Sequence, residues 1–402
     1  MIGAPWLQRY IMKTNFNPMK TLKTIVIILI ILFLIPISSW LIWNLKQSKP
    51  LNILILNKTV LGLERKEHGA IFWLLLNEKF VKDDDKVYRM DRDYYGFHPV
   101  KPLKSRKYEV RRITLEDIND LVSQYDMAYY ADTYGVFFNE WYRRESGQGK
   151  GTLIEGGLNN NDFLFIKGLH DQGKLLIAEY NFIAPPTIQL VRKKTEDLLG
   201  ISWTNWTGRY INELDPAKSK DLPDWMVDIY KKRNDGEWKF SGAGIILVNE
   251  PAQQIAVLQA DLHLEDAVPE IQTTEYGLEY YDLPESVHYP HRFDIMDEQS
   301  NEVIADYKLH VNIEGKAVLD EFNLPSRFPA MIESNTESPF LYLAGDYSDY
   351  PVRMWTAKLQ GIRTFEDIFY KNKKNSTSKF YWTYYVPLIS QVLTNYQNSL
   401  TK

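Results

Sequence analysis

"GKLLIAEYNFIAPPT", residues 173–187, is the stretch whose reading decides the fold. The apolar run Leu175–Ala178 is followed at once by Glu179 and Asn181, and then by the turn-forming pair Pro185-Pro186. A short apolar run ending in polar groups is the pattern of a buried parallel strand, covered on both faces and open at its carboxyl end. "LNILILN" (51–57) and "MAYYADT" (127–133) repeat it. Between them lie segments of helical period, "EHGAIFWLLLNEKF" (67–80), "TLEDINDLVSQY" (114–125) and "NNDFLFIKGLHDQ" (160–172). Strand alternating with helix predicts an α/β domain over 51–240 built on a doubly wound, mainly parallel sheet. Thr114 with Asp117 reads as a capping pair, while Asn160 with Phe163 offers the cap alone.

After Gly242 the texture changes to "GAGIILVNE", "QQIAVLQADLHL", "SVHYPHRFDIMD", "EVIADYKLHV" and "FLYLAGDY", separated by turn-forming clusters. This predicts a strand-rich C-terminal half, antiparallel or mixed, over 241–370 and packed on the first domain. "KNKKNSTS" (371–378) is a polar linker, and an aromatic helix interrupted near Pro387 closes the chain over 379–398.

The N-terminus is of another kind. Thr24 to Leu45 carries no charge, and "TIVIILIILFLIPISSWLIW" has the length of a transmembrane helix, so 24–45 is read as a membrane anchor. Arg9, Lys13, Lys20 and Lys23 precede it with no acidic residue before Glu64, and Trp40 and Trp43 sit where an interfacial belt belongs. Residues 1–23 are therefore expected in the cytoplasm and the main domain outside it, a single-pass plasma-membrane protein. A cleaved signal peptide is the alternative, with a cleavage zone at Pro36-Ile37-Ser38-Ser39, although Trp40–Trp43 prolongs the apolar run. Met12 or Met19 offers a second start for the same basic-then-apolar pattern.

The 402 residues contain no cysteine, which excludes disulfides, thiolate nucleophiles and cysteine-based zinc sites. All 52 acidic residues follow position 50, and six of the 47 basic ones precede it, so the remainder is acidic and unsuited to nucleic acid. No P-loop, Rossmann glycine fingerprint or Gly-x-Ser-x-Gly elbow is present, and no cofactor is implied. His288 and His291 near Asp294 lack regular spacing and a third histidine, so no metal is assigned. Asn57, Asn205 and Asn375 open glycosylation sequons, relevant only in a eukaryotic secretory host.

In an open α/β sheet, ligands gather beyond the carboxyl ends of the strands, where Asn57, Asp132, Glu179 and Asn181 all fall. A strand-terminal acid can instead cap the next helix or pair with an arginine such as Arg192 or Arg209.

This layout resembles the class I glutamine amidotransferase-like fold over about residues 51–200. "EGGLNNND" (155–162) looks like the Gly-Gly turn, here Gly156-Gly157, that opens a helix and supplies an oxyanion-hole amide in that fold. "LIAEYNFIAPPT" occupies the place of the next strand and its nucleophile elbow. Where the family carries Gly-x-Cys-x-Gly, this chain has Ala178-Glu179-Tyr180-Asn181-Phe182, so the resemblance implies a domain that does not hydrolyse glutamine.

Two functions follow from these residues. The first is a membrane-anchored extracytoplasmic domain that binds a glycan or an envelope protein during cell-envelope or polysaccharide assembly. The second is an acid/base carbohydrate-active hydrolase, with Glu179 as principal acid or base and Asp132, ahead of Glu155 and Glu140, as partner; a desolvated carboxylate suits that work. Trp203 and Trp206, beside Arg209 and Tyr210, offer flat faces for a sugar, though aromatics serve cores equally well. Expected ligand contacts are thus Asn57, Gly156, Gly157, Asn181, Trp203, Trp206 and Arg209.

Overall fold

The structure is a computed structural model and describes residues 18–143, 151–364 and 373–401. Residues 1–17 of the expected cytoplasmic segment, 365–370 of the extension and 371–372 of the linker lie outside the described residues. Helix α1, Pro18–Leu45, contains a stretch, Leu22–Leu45, long and apolar enough to cross a bilayer, as an anchor or a signal sequence would be. Ile27, Phe33 and Leu34 are more than half exposed, and among its described side chains Trp43 alone is buried.

The body is mixed α/β. Its first half supplies β1 (Ile53–Asn57), β2 (Tyr95–Pro99), β3 (Tyr108–Arg111), β4 (Met127–Asp132), β5 (Leu175–Glu179) and β6 (Ser202–Ile211). Its second half supplies β7 (Gly244–Asn249), β8 (Gln254–Gln259), β9 (Glu270–Thr273), β10 (Ser286–His288) and β11 (Arg292–Asp297). After these come β12 (Glu302–Lys308), β13 (Arg327–Glu333) and β14 (Phe340–Leu343). A ten-stranded sheet runs β10-β9-β12-β13-β14-β5-β4-β1-β2-β3. The three strands read from sequence are parallel neighbours at its centre, β1 beside β4 and β4 beside β5. Leu54 and Ile55 of β1, Ala128 and Tyr129 of β4, and Leu176 and Ile177 of β5 are all buried.

The ten-stranded sheet is mixed, which corrects the expectation of a mainly parallel one. The parallel block is β14-β5-β4-β1-β2, and every other pair in the ten-stranded sheet is antiparallel. The connections explain two of these pairs: only residues 334–339 separate β13 from β14 and only 100–107 separate β2 from β3, too few for the crossover that parallel pairing needs. The strand-rich second half thus supplies five strands to the same sheet, the last of them, β14, parallel to β5.

A second, antiparallel sheet runs β8-β7-β6-β11. In β7, Ile245 and Leu247 face the main core, while Ile246 and Val248 pack with Met226, Val227 and Ile229 of a helix at Asp224–Arg233. Both faces are covered, so the run is apolar throughout.

Helix α2 (Gly69–Glu78) and the helix at Asn160–Asp171 fall inside their expected ranges. The cap of the latter is Asn159, one residue before the expected position. Its side chain accepts the N–H groups of Asn161 and Asp162, and Asp162 completes a capping box. Thr114 donates its hydroxyl to Asp117 at 2.6 Å, ahead of a helix at Ile118–Gln124. The C-terminal segment is helical from Ser378 to Leu400, as α over Ser378–Phe380, π over Tyr381–Tyr385 and α over Val386–Leu400, so the interruption expected near Pro387 is a widened turn just before the proline and not a break in the helix.

Candidate functional site

A cavity of about 620 Å³ opens at the carboxyl ends of β4 and β5 and is closed by β6, β7 and the 219–226 segment. Four of the residues expected at a site line it: Asp132, Asn181, Trp203 and Arg209. Five do not: Glu179, Asn57, Gly156, Gly157 and Trp206. Of the other partners weighed for Glu179, Glu140 lines the cavity, while Glu155 is held by Arg112 at 2.6 Å and Lys58 at 3.6 Å.

Glu179 is wholly buried and faces the protein. Its carboxylate accepts the Tyr129 hydroxyl and the backbone N–H groups of Tyr347 at 3.0 Å and Ser348 at 2.8 Å. Burial pushes its pKa up to about 8, against the lowering effect of these donors. Neither Arg192 nor Arg209 is its partner: Arg192 donates to Asn205 at 3.1 Å, and Arg209 lines the cavity. What Glu179 does is hold the turn after β14, from which Asp346 and Asp349 enter the cavity.

Asn181, in the left-handed region at φ 63°, turns the chain out of β5, a conformation asparagine adopts readily. Its N–H donates to Asp294 at 2.9 Å and its carbonyl accepts the Thr133 hydroxyl at 2.8 Å. That turn leaves Tyr180 on the cavity wall. Gly157 supplies no free amide, since its N–H donates to Thr133 O at 2.7 Å. It is glycine for a steric reason: φ is +68°, and a Cβ would lie 2.7 Å from the Thr187 nitrogen. Asn57 is wholly buried, donating to His68 at 3.1 Å and accepting the Thr59 N–H at 2.8 Å, so it can be neither a ligand contact nor a glycan acceptor. Trp206 is buried edge-on against Phe322, its carbonyl accepting the Trp203 indole N–H at 3.0 Å.

The residues missed from sequence are Asp346, Asp349, Arg292 and Glu67, all on the cavity wall. Arg292 donates to Asp346 at 3.3 Å. Burial alone would lower the Arg292 pKa, but Asp346 holds it above the ordinary value. Burial raises the Asp346 carboxyl, an effect that Arg292 opposes. Asp132 is pushed up strongly, by burial first and by Asp346 next. Burial takes Glu67 to about 7, and burial with Arg292 takes Arg209 down to about 10. The cavity therefore sets carboxyl groups that favour a proton beside two guanidiniums, with Trp203, Tyr180 and Trp225 as apolar walls.

His291, Asp346 and Asp349 could each offer a cation one ligand atom, all within 4.8 Å of one another. The Asp346 oxygen nearest His291, at 3.6 Å, is also the one that Arg292 engages. His288 pairs with Asp266 at 3.0 Å, and Asp294 accepts from Asn181 and Tyr342.

No protein-family model matches the chain, and no curated protein matches it. Among solved structures, the crystal structure of beta-galactosidase from Bacillus circulans sp. alkalophilus is similar at a TM-score of 0.32 and 9% identity, over 77% of this chain and 31% of that one. A likeness this distant bears on neither fold nor function.

Proposed function

We propose that this chain is a membrane-anchored, extracytoplasmic α/β protein whose cavity binds a glycan in cell-envelope or polysaccharide assembly, on an amidotransferase-like layer that does not hydrolyse glutamine. The cavity carries the reading: about 620 Å³, concave, with aromatic walls beside paired carboxylates and guanidiniums. Sugar rings stack on aromatic faces and take hydrogen bonds from such groups, and pockets of this size enclose a small ligand instead of meeting a flat protein surface. Two features support the amidotransferase-like reading: the parallel order β2-β1-β4-β5-β14, which matches the 2-1-3-4-5 order of doubly wound sheets, and the position of Asp132 beside Asn57, where that order reverses.

A second reading, the acid/base hydrolase, is favoured by one observation. Asp132 and Asp346 share the cavity, and burial raises both carboxyls, strongly at Asp132, where Asp346 adds to the rise, and against the opposing pull of Arg292 at Asp346; two carboxyls held in unequal surroundings suit an acid and a base. Glu179, facing away, would position the Asp346 turn in that reading.

Full-length protein in detergent, tested on an array of envelope glycans, separates the readings. Wild type should bind a subset, with binding lost in Asp132→Asn and Arg209→Gln while melting stays cooperative. Hydrolysis of the bound glycan, abolished by Asp132→Asn, would favour the second reading. Neither binding nor hydrolysis by the wild type would overturn both.

A further inference from the structure

Helix α1 does not end in a free tether. Ser39 donates its hydroxyl to the Gln360 carbonyl at 2.7 Å and accepts, through its own carbonyl, the Gln360 N–H at 3.3 Å. The Trp43 indole N–H donates to the Leu76 carbonyl at 3.2 Å, and Lys46 pairs with Glu78 at 2.6 Å. The short helix Met354–Lys358 is wedged between α1 and α2, with the Trp73 indole N–H donating to Thr356 at 2.9 Å and Asn77 donating to Ala357 O at 2.9 Å.

Helix rise sets the depth of this junction. From Thr24, the first residue after Lys23, to Ser39 is about 22 Å of helix, against about 30 Å of hydrocarbon. A spanning α1 that enters the hydrocarbon at Thr24 therefore places the Ser39–Gln360 contact about 8 Å short of the far face of the hydrocarbon, and tilting sets it deeper still. The segment that arrives there is "RMWTAKLQGIR", 353–363, which holds three cations and no acid. Trp355 is 64% exposed, and Arg353 and Lys358 beside it are exposed too. A solvent-facing tryptophan flanked by cations is the composition of a lipid headgroup contact.

We infer that residues 353–363 form a second membrane contact, a seat that places Trp355 in the headgroup layer of a phospholipid bilayer and fixes the body's orientation upon it. The inference rests on the reading of α1 as a retained anchor. Leu76 of α2 touches α1 while Glu67, just before that helix, lines the cavity, so α2 runs between the seat and the cavity.

The absence of cysteine makes the test clean. Trp355→Cys, Lys358→Cys, Trp40→Cys and Lys66→Cys, each in the full chain, are spin-labelled in nanodiscs of phosphatidylethanolamine and phosphatidylglycerol. Accessibility to oxygen is then compared with accessibility to a water-soluble nickel complex. The label at 355 should favour oxygen several-fold over the label at 66, which lies at the far end of α2, with 358 intermediate. A label at 40 in lipid with 355 and 358 as wet as 66 would overturn the seat while leaving the anchor intact. A wet label at 40, or loss of the chain from the discs, would overturn the anchor and the seat together.

Discussion

The Ser348 backbone N–H donates to the Glu179 carboxylate at 2.8 Å, joining the carboxyl end of β5 to the turn after β14 across 169 residues of chain. Through that bond, and the one from Tyr347 at 3.0 Å, a wholly buried acid positions Asp346 and Asp349 on the cavity wall.

Glu179 makes stability depend on pH with a defined sign. Its folded pKa is raised to about 8 from an ordinary 4.5, so between those values the native state holds a proton that the unfolded chain has released. Stability from this group is complete below about pH 4.5 and falls as pH rises toward 8. Glu179→Gln keeps the acceptor for Tyr347 and Ser348 and cannot titrate. The Tm difference between variant and wild type should therefore move in the variant's favour from pH 5 to pH 8. Melting curves that stay parallel over that range would mean the carboxylate is ionised throughout. Glu179→Ala, which strips three donors of their acceptor, should cost about 2–5 kcal/mol at any pH.

Trp203 and Trp206 should separate in their effects. Trp206 packs edge-on against Phe322, ring centres 5.4 Å apart, away from the cavity. Trp206→Ala is expected to cost about 3–5 kcal/mol while leaving ligand affinity intact in the folded fraction. Trp203→Leu should lower glycan affinity as well, because Trp203 is among the residues lining the cavity. Denaturant melts and glycan titrations on the same preparations check both, and equal loss of affinity in the two variants would contradict the assignment.

The parallel core was legible because covering both faces of a strand demands a continuous apolar run, and 53–57, 127–132 and 175–179 each have one. Their polar ends marked the rim for the same reason. The direction in which each polar end points was not legible. Asp132 and Glu179 end neighbouring strands with the same local pattern, yet one lines the cavity and the other turns inward. That difference is decided by Tyr347 and Ser348, far along the chain. The run "FLYLAGD" carried the same signal as "LLIAEYN", apolar residues ending in polar ones, and reading it as a further parallel strand would have brought Asp346 to the rim. The antiparallel flank and the junction of α1 with Gln360 depend on contacts between distant segments that no local period encodes.

The topology has its own test. The basic residues before α1 predict that residues 51–402 face away from the cytoplasm. Protease added to intact spheroplasts should digest the body and leave a membrane-bound N-terminal fragment. Full protection would reverse the orientation, and a soluble product beginning near Trp40 would identify α1 as a cleaved signal.

Lys58 offers a prediction about what holds the rim together. It is 3% exposed, yet its ammonium pairs with Asp162 at 2.7 Å, lies 3.6 Å from Glu155 and donates to the Gly157 carbonyl at 2.8 Å. It thus ties the end of β1 to the Gly-Gly turn and to the start of the Asn160–Asp171 helix. Lys58→Met keeps most of the stem and removes the charge, leaving the buried Asp162 carboxylate held by the Asn159 N–H without its cation. Breaking one side of such a pair costs about 3–5 kcal/mol, mostly through the stranded charge. Adding Asp162→Asn removes that charge and should restore part of the loss, so the double variant is expected to be more stable than Lys58→Met alone. Chemical denaturation of the wild type, both single variants and the double variant gives the coupling directly. A double variant no more stable than Lys58→Met would show that Lys58 acts by packing and by its bond to Gly157, with the ion pair contributing little.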